Sequence, residues 1–533
     1  MERIVPTVRD VTFDLLRALG LTTVFGNPGS TELPFLKDFP DDFSYILGLQ
    51  ESTVMGMADG YAQARGQATL VNLHTSAGLG NAMGGVVTAY HNRASLVITA
   101  GQQDRRHLAL EPMLAGRLVE LARPYVKWSH EPTRAQDVPA AIARAYYTAM
   151  QAPAGPVFLS IPMDDWDAAA EPYDIGARAV VYRTAPDPAA LVEAATALRE
   201  SRRPAIVAGA GVDRAGAWDT VVALAERARA AVWADPIGPR AGFPQDHPLF
   251  RGHLAPAQTP LAHQLADYDL VLVLGAPVFL YYPYAPGPVV AQGTRVIQVT
   301  DNPDEAARAA TGLSLVGDIA LAAQGLLDRL PETGRPAPAP LPVYPAPEAT
   351  DPLSVDYVMS TLAGLLPADT VIVDESISSR SKLLRYVRAR RPGGYYIAAS
   401  GGLGFAMPAA VGVKLAEPER PVVCTIGDGS SMYSIQALWS AVRYGAAVTY
   451  VVINNEQYAI LKAFGDTLGI GAGVPGLDLP GIDLVGVARG LGCAGETVSA
   501  PGNLTAALRR GLDAGRPYLV NVMVDPSVPP LMG

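Results

Sequence analysis

The sequence predicts an α/β chain built of three doubly wound parallel-sheet domains, and three observations carry that prediction. Short β-branched apolar runs alternate with longer Ala-rich stretches of helical spacing, the pattern of parallel strands covered on both faces. At 533 residues the chain exceeds what one hydrophobic core can organise, so about three domains are expected. Residues 331–352 hold 8 prolines in 22 residues, too many for either regular element.

The first block, residues 1–180, holds the strand candidates TTVFG, FSYILGL, ATLVNLH, SLVITAG and VFLSIP. The second, 181–335, holds PAIVAGAG, AVWADP, LVLVLG and RVIQVT, and the third, 353–533, holds TVIVDE, VVCTIGDG, VTYVVINN and YLVNVMV. An extended, semi-rigid linker at 336–352 joins the last two. The boundary near residue 180 is softer, marked by the acidic stretch DDWDAAAEPYD and by RTAPDP before a helix near Ala189.

Composition narrows the partners. Net charge is −10 and no Lys/Arg run of nucleic-acid type occurs, which argues against a nucleic-acid partner. Glu2, Arg3, Arg9 and Asp10 interrupt the apolar residues at the N-terminus, so no secretory signal is read there. The charge-free run Leu270–Thr294 is broken by Pro277, Pro283, Pro286, Gly287 and Pro288, which excludes a spanning helix and any membrane role for it. Cys424 and Cys493 lie far apart without metal spacing and read as reduced, buried thiols of a cytoplasmic protein, with a single disulfide as the alternative. In the second block Gly209-Ala210-Gly211 begins like a dinucleotide fingerprint, but Arg214 stands where the third glycine belongs. That turn reads as a tight strand-to-helix connection and the block as structural.

Chemistry enters with Gly427-Asp428-Gly429-Ser430-Ser431. Asp-Gly pairs are ordinary turn formers, but this one closes the buried strand VVCTI. A helical stretch, SIQALWSAVRYG, and a further strand, VTYVVI, then lead to Asn454-Asn455. The 27 residues from Asp428 to Asn455 return a second oxygen ligand to the same sheet edge. Asp428 and Asn455 offer hard oxygens to an octahedral Mg2+ shared with a diphosphate, which glycine N–H groups can approach. The pattern points to thiamin diphosphate, whose thiazolium ring is an electron sink that no side chain provides. Activating that ring needs a carboxylate hydrogen-bonded to the aminopyrimidine in an apolar setting. Glu51, after FSYILGLQ, is the candidate; on spacing alone, an N-capping or surface acid on the next helix competes with it.

The segments NPGSTELPFLKDFPDDFSYILGLQE, GNAMGG, TAGQQ, VKWS, GPVFLSIPMDDWD, GGLGFAMPAA, GDGS and VPGLDLPGID, spread over all three blocks, together resemble the thiamin diphosphate-dependent 2-oxo acid decarboxylases, the benzoylformate decarboxylases most of all. The resemblance implies that the blocks are pyrimidine-binding, central and pyrophosphate-binding domains. It makes Glu51 the partner of the aminopyrimidine N1′, and Asp428, Asn455 and the backbone carbonyl of Gln457 the Mg2+ ligands. Leu403 would wedge the cofactor into its bent form, with backbone at Gly401 and Leu403 on the pyrimidine edge. Ser378, Gly429, Ser430 and Tyr458 would surround the diphosphate, and Asn27, Pro28 and Gly29 would lie near the rings. Ser30 would bind the carboxylate of a small 2-oxo acid, and His74 would deliver a proton after CO2 leaves; His91 and His107 have no such place. Glu51 of one chain would serve the cofactor held by Asp428 of another, making a homodimer the minimum and a homotetramer the common form.

The sequence also departs from the family. Tyr282, in VFLYYPY, stands where benzoylformate decarboxylases carry a second active-site histidine. A tyrosine with an ordinary pKa near ~10 shuttles protons less readily at neutral pH. Ile397 and Ile460 replace a larger aromatic and a small residue, while Phe464 remains. Ile460 is expected to crowd the space over the reacting carbon and to favour a 2-oxo acid smaller or more aliphatic than benzoylformate. The expected reaction is nonoxidative decarboxylation to an aldehyde and CO2, with carboligation as a side activity. A carboligase resembling acetolactate synthase or an acyl-CoA lyase is the alternative, and a noncatalytic cofactor-binding scaffold is a second.

Overall fold

A computed structural model describes residues 5–171, 178–341, 344–471 and 473–531. It contains three six-stranded sheets, one in each block, and within each sheet the paired strands run parallel. The first sheet is ordered β2 (Ser44–Leu47), β1 (Thr23–Gly26), β3 (Thr69–Leu73), β4 (Leu96–Gln102), β6 (Val157–Pro162), β5 (Ser129–His130). The second is β12 (Leu313–Val316), β11 (Arg295–Thr300), β10 (Leu270–Leu274), β7 (Pro204–Ala208), β8 (Ala231–Ala234), β9 (Phe250–His253). The third is β14 (Tyr395–Tyr396), β13 (Val371–Glu375), β15 (Val422–Gly427), β16 (Val448–Asn454), β18 (Tyr518–Met523), β17 (Ala494–Val498).

Central strands such as β4 and β16 are buried at every position because helices cover both faces. That burial gives them continuous apolar runs. The sequence reading missed β5, β9, β12, β14 and β17, and each of them is an edge strand. Cys424 and Cys493 are buried free thiols. Among the described residues no helix is long and apolar enough to cross a membrane. The described linker residues form no helix or strand, and Arg335 ties their start to the second domain through the carbonyls of Ala228 (2.7 Å) and Leu198 (2.7 Å). Residues 342–343 of the linker and 172–177 of the softer boundary lie outside the described residues, as do 1–4 of the N-terminal segment.

Two devices hold the domains together and so position the site. Helix Glu51–Arg65 of the first domain lies directly on helix Ala406–Ala416 of the third. A Cβ at Gly60 would collide with the Ala409 carbonyl, and one at Gly412 with the Met57 carbonyl, so backbone meets backbone at a distance only glycine permits. The second device is Arg240 of the middle domain. Its guanidinium donates to Asp213 (2.6 Å) and to the Gln63 carbonyl of the first domain (3.1 Å), and it stacks over Tyr396 of the third at 4.8 Å. Asp213 in turn accepts from the Gly393 amide (3.0 Å), so one buried ion pair touches all three domains. The glycines of Gly209-Ala210-Gly211 serve packing, since added Cβ atoms there would strike the Gly275–Ala276 turn after β10.

Candidate functional site

The candidate residues fall into two groups. The first sits on the first sheet, where β1 and β3 end side by side with Gly26 opposite Asn72, so the loop 27–30 and His74 leave the same edge. Asn27 is half-buried, Pro28 and Ser30 are exposed, and Gly29 abuts the imidazole so closely that a Cβ there would overlap it. His74 precedes helix Thr75–Asn92, and its Nδ1 lies 2.8 Å from Glu32 Oε2. The buried Glu32 carboxylate also accepts from the amides of Gly29 (2.9 Å) and Gly101 (2.8 Å) and from the Thr31 hydroxyl (2.8 Å). Three donors besides the imidazole already meet its two oxygens, which act as acceptors toward the ring as well. His74 Nδ1 therefore carries the proton toward Glu32, and Nε2 is left for other work. The next residue, Thr75, is buried at φ +45°, a conformation β-branched residues rarely adopt, so backbone strain sits beside the imidazole.

Glu51 opens helix Glu51–Arg65 but does not cap it. Gln50 caps instead, its side-chain oxygen accepting from the amides of Ser52 (2.7 Å) and Thr53 (3.2 Å). The Glu51 carboxylate is buried, receives one hydrogen bond from Asn81 Nδ2 (3.1 Å) and pairs with no cation among the described residues.

The second group sits on the third sheet. Gly427 is opposite Ile453, so Asp428 leaves β15 beside the point where Asn454-Asn455 leave β16. Asp428 is 4% exposed, and burial pushes its carboxyl up to about 6 against the pull of the backbone N–H groups of Gly429, Asp428 and Glu456. No Lys, Arg or His pairs with it among the described residues. Asn455 Oδ1 accepts from the Gln457 amide (3.3 Å) across Glu456, which turns the chain at φ +54°. The segment VPGLDL folds back on this turn, with the Leu479 amide on the Glu456 carbonyl (2.7 Å) and the Tyr458 amide on the Leu477 carbonyl (2.8 Å). Gly429 is hemmed in by Tyr458 and Leu479, whose side-chain carbons would lie 2.5 and 2.8 Å from an added Cβ.

Asp428, Gly429, Ser430, Gln457 and Tyr458 line a cleft of about 1550 Å3, together with Ser378, Gly401 and Leu403. Another part of its wall holds Tyr282, Ile397, Ile460 and Phe464. Tyr282 is 69% exposed and meets the Phe464 ring edge-on with centroids 5.1 Å apart. The Ile397 amide is tied to the Pro239 carbonyl (3.1 Å). Asn27, Pro28, Gly29, Ser30, Glu51 and His74 do not line this cleft, and neither does Asn455, although its neighbour Gln457 does. One chain thus gathers the diphosphate-side residues other than Asn455, with the pocket residues, in one place and the Glu51 and His74 residues in another.

The donor set suits a Mg2+–diphosphate group. A buried carboxylate without a cation, an amide oxygen nearby and a backbone carbonyl are hard oxygen ligands, and no soft ligand stands among them. Sequence reasoning missed Glu32, Asn92 and Glu375. Glu375, 1% exposed at the end of β13, accepts from the amides of Gly404, Phe405 and Ala406, each at 2.8 Å. Asn92, fully buried, accepts from the Ala399 amide (2.8 Å) and donates to Asp59 (3.0 Å). An acidic residue ending the buried run TVIVDE was the available signal for Glu375; Glu32 had one only in its place within NPGSTE.

The chain matches three successive family descriptions: thiamine pyrophosphate enzyme, N-terminal TPP binding domain over residues 6–121, central domain over 191–326, and C-terminal TPP binding domain over 378–522. It belongs to the thiamine pyrophosphate enzymes. Within them it is 46% identical to benzoylformate decarboxylase of Pseudomonas aeruginosa over 520 residues, 97% of this chain and 98% of that one. It is 25% identical to acetolactate synthase isozyme 3 large subunit of Escherichia coli over 545 residues, 95% of this chain and 93% of that one. Among solved structures it resembles benzoylformate decarboxylase from Polynucleobacter necessarius, with a TM-score of 0.96 and 42% identity over 98% of this chain and 100% of that one. It resembles a thiamine diphosphate-dependent 4-hydroxybenzoylformate decarboxylase of Rhodococcus jostii RHA1 equally broadly, with a TM-score of 0.95 and 42% identity.

Proposed function

We propose that the chain is a Mg2+- and thiamin diphosphate-dependent carboxy-lyase that converts a 2-oxo acid of benzoylformate type, or a smaller aliphatic one, to an aldehyde and CO2. The observation that carries this reading is a pair of buried carboxylates without cationic partners among the described residues: Glu51 on the first domain and Asp428 on the third. A buried unpaired carboxylate is costly, and a cofactor with one cationic anchor and one protonated ring edge would satisfy both.

Thiamin diphosphate, when bound, supplies the electron sink for cleaving the bond to the carboxylate. The chain's residues do the rest. Asp428, Asn455 and the Gln457 carbonyl would hold Mg2+ and through it the diphosphate, with Ser378, Gly429, Ser430 and Tyr458 around it. Leu403 would press between the rings, with Gly401 on the pyrimidine edge and Asn27, Pro28 and Gly29 nearby. Glu51 would hydrogen-bond the aminopyrimidine N1′. Ser30 would orient the substrate carboxylate, and His74, whose Nδ1 is committed to Glu32, would move a proton at Nε2. Since the Glu51 and His74 group lies off the cleft of its own chain, a second copy would complete the site, with a homodimer as the minimum and a homotetramer as the expected assembly. The two free thiols fit a reducing, cytoplasmic setting.

Incubation of the purified protein with Mg2+, thiamin diphosphate and a panel of aromatic, branched and short 2-oxo acids tests the proposal. Free aldehyde and CO2, lost on chelation of Mg2+, are expected; a hydroxyketone as the main product would assign the chain to the carboligases, and no turnover would remove the enzymatic reading. Ile460 sets the expected preference. Ile460→Ala should raise kcat/KM for benzoylformate relative to short substrates by about tenfold. If the unaltered protein already prefers benzoylformate by that margin, the crowding argument is wrong.

A further inference from the structure

We propose that Glu375 is a positioning residue for cofactor binding: its carboxylate sets the loop carrying Gly401 and Leu403 into its gripping shape before the cofactor arrives. The inference rests on the reading above and deepens it. Three amide donors, Gly404, Phe405 and Ala406, meet the two Glu375 oxygens at 2.8 Å each, where the loop enters helix Ala406–Ala416. Phe405 occupies the cap position of that helix and offers no side-chain acceptor, so Glu375 reaches in from β13 to satisfy amides that would otherwise be unpaired.

Glu375 lies opposite Ile426 in the β13–β15 register, one residue before Gly427-Asp428. The carboxylate therefore ties the Leu403 loop to the strand that delivers Asp428, and so fixes the distance between the wedge and the diphosphate anchor. The other end of the loop is held as well, by Asn92 on the Ala399 amide (2.8 Å) and by Thr88 on the Ser400 hydroxyl (2.9 Å). Burial pushes the Glu375 carboxyl up to about 7 even with three N–H donors pulling it down. A residue that useful only as a cap would be a costly choice.

The test separates a positioning role from a merely stabilising one. In the full chain, Glu375→Gln and Glu375→Asp should each weaken thiamin diphosphate binding in the presence of Mg2+ by about tenfold or more, read by titration calorimetry. Binding of magnesium pyrophosphate, which needs only the diphosphate anchor, should stay within about twofold. Unchanged thiamin diphosphate affinity, or an equal loss for pyrophosphate, would overturn the proposal. Failure of the unaltered protein to bind thiamin diphosphate would instead overturn the functional reading beneath it. Should both variants fail to fold, hydrogen exchange on the unaltered, cofactor-free protein decides: protected amides at 404–406 uphold the preset loop, and exchange at free-peptide rates refutes it.

Discussion

Glu32 Oε2 stands 2.8 Å from His74 Nδ1, joining residues 42 positions apart in the chain. The contact fixes which imidazole nitrogen holds its proton inward and which faces out. Glu32→Gln keeps the shape but places an amide where four donors converge. It is expected to lower kcat by about tenfold or more while leaving thiamin diphosphate affinity nearly unchanged. Equal kcat in both proteins would detach Glu32 from catalysis.

Glu51→Gln addresses the other carboxylate. With capping assigned to Gln50, the substitution should cost the helix little, and the melting temperature should stay close to that of the parent. Diphosphate binding should persist and turnover should fall by at least about a hundredfold. Retained activity would strip Glu51 of its assigned role.

The close approach of helices Glu51–Arg65 and Ala406–Ala416 makes Gly412 intolerant of any side chain. Gly412→Ala would press a methyl into the Met57 carbonyl and should destabilise the fold by about 1–3 kcal/mol, seen in thermal melts. Gly364→Ala is the control: a Cβ there meets nothing within 4 Å, so helix propensity alone should make it neutral or mildly stabilising. Matching effects at both positions would contradict the packing account.

Asp59 gives a dependence on pH. Burial raises its carboxyl to about 7, although Gln63 (2.6 Å) and Asn92 (3.0 Å) donate to it. A folded-state pKa above the unfolded value means that its contribution to stability is fully present below the ordinary carboxyl value of 3.8 and is lost as pH rises through about 7. The melting temperature of the cofactor-free protein minus that of Asp59→Asn should therefore fall between pH 5 and 8, by about 2 °C or more. A difference that grows with pH would show that Asp59 ionises readily where it lies.

How much of this could be read from the chain alone follows from what each element depends on. β4 and β16 announced themselves because seven consecutive residues in each are buried. Edge strands such as β17, Ala494–Val498, and β9, Phe250–His253, are only partly buried and carry no such run, so nothing local marked them. Asp428 and Asn455 were legible because a strand, a helix and a strand return them to one edge within a single local unit. Glu32, Asn92 and Glu375 act on partners far away in sequence, and their importance is a property of tertiary contacts that no spacing rule encodes. The same holds for Gln50, whose capping of the Glu51 helix removes the capping role that the sequence left open for Glu51.

Arg240 carries a consequence for how molecules enter and leave. Swinging the middle sheet outward would carry the Arg240–Asp213 pair with it and break its contacts to Gln63, Gly393 and Tyr396 together. These contacts oppose wholesale hinging, which favours modest local excursions at the rim of the cleft, where Tyr282 stands mostly in water.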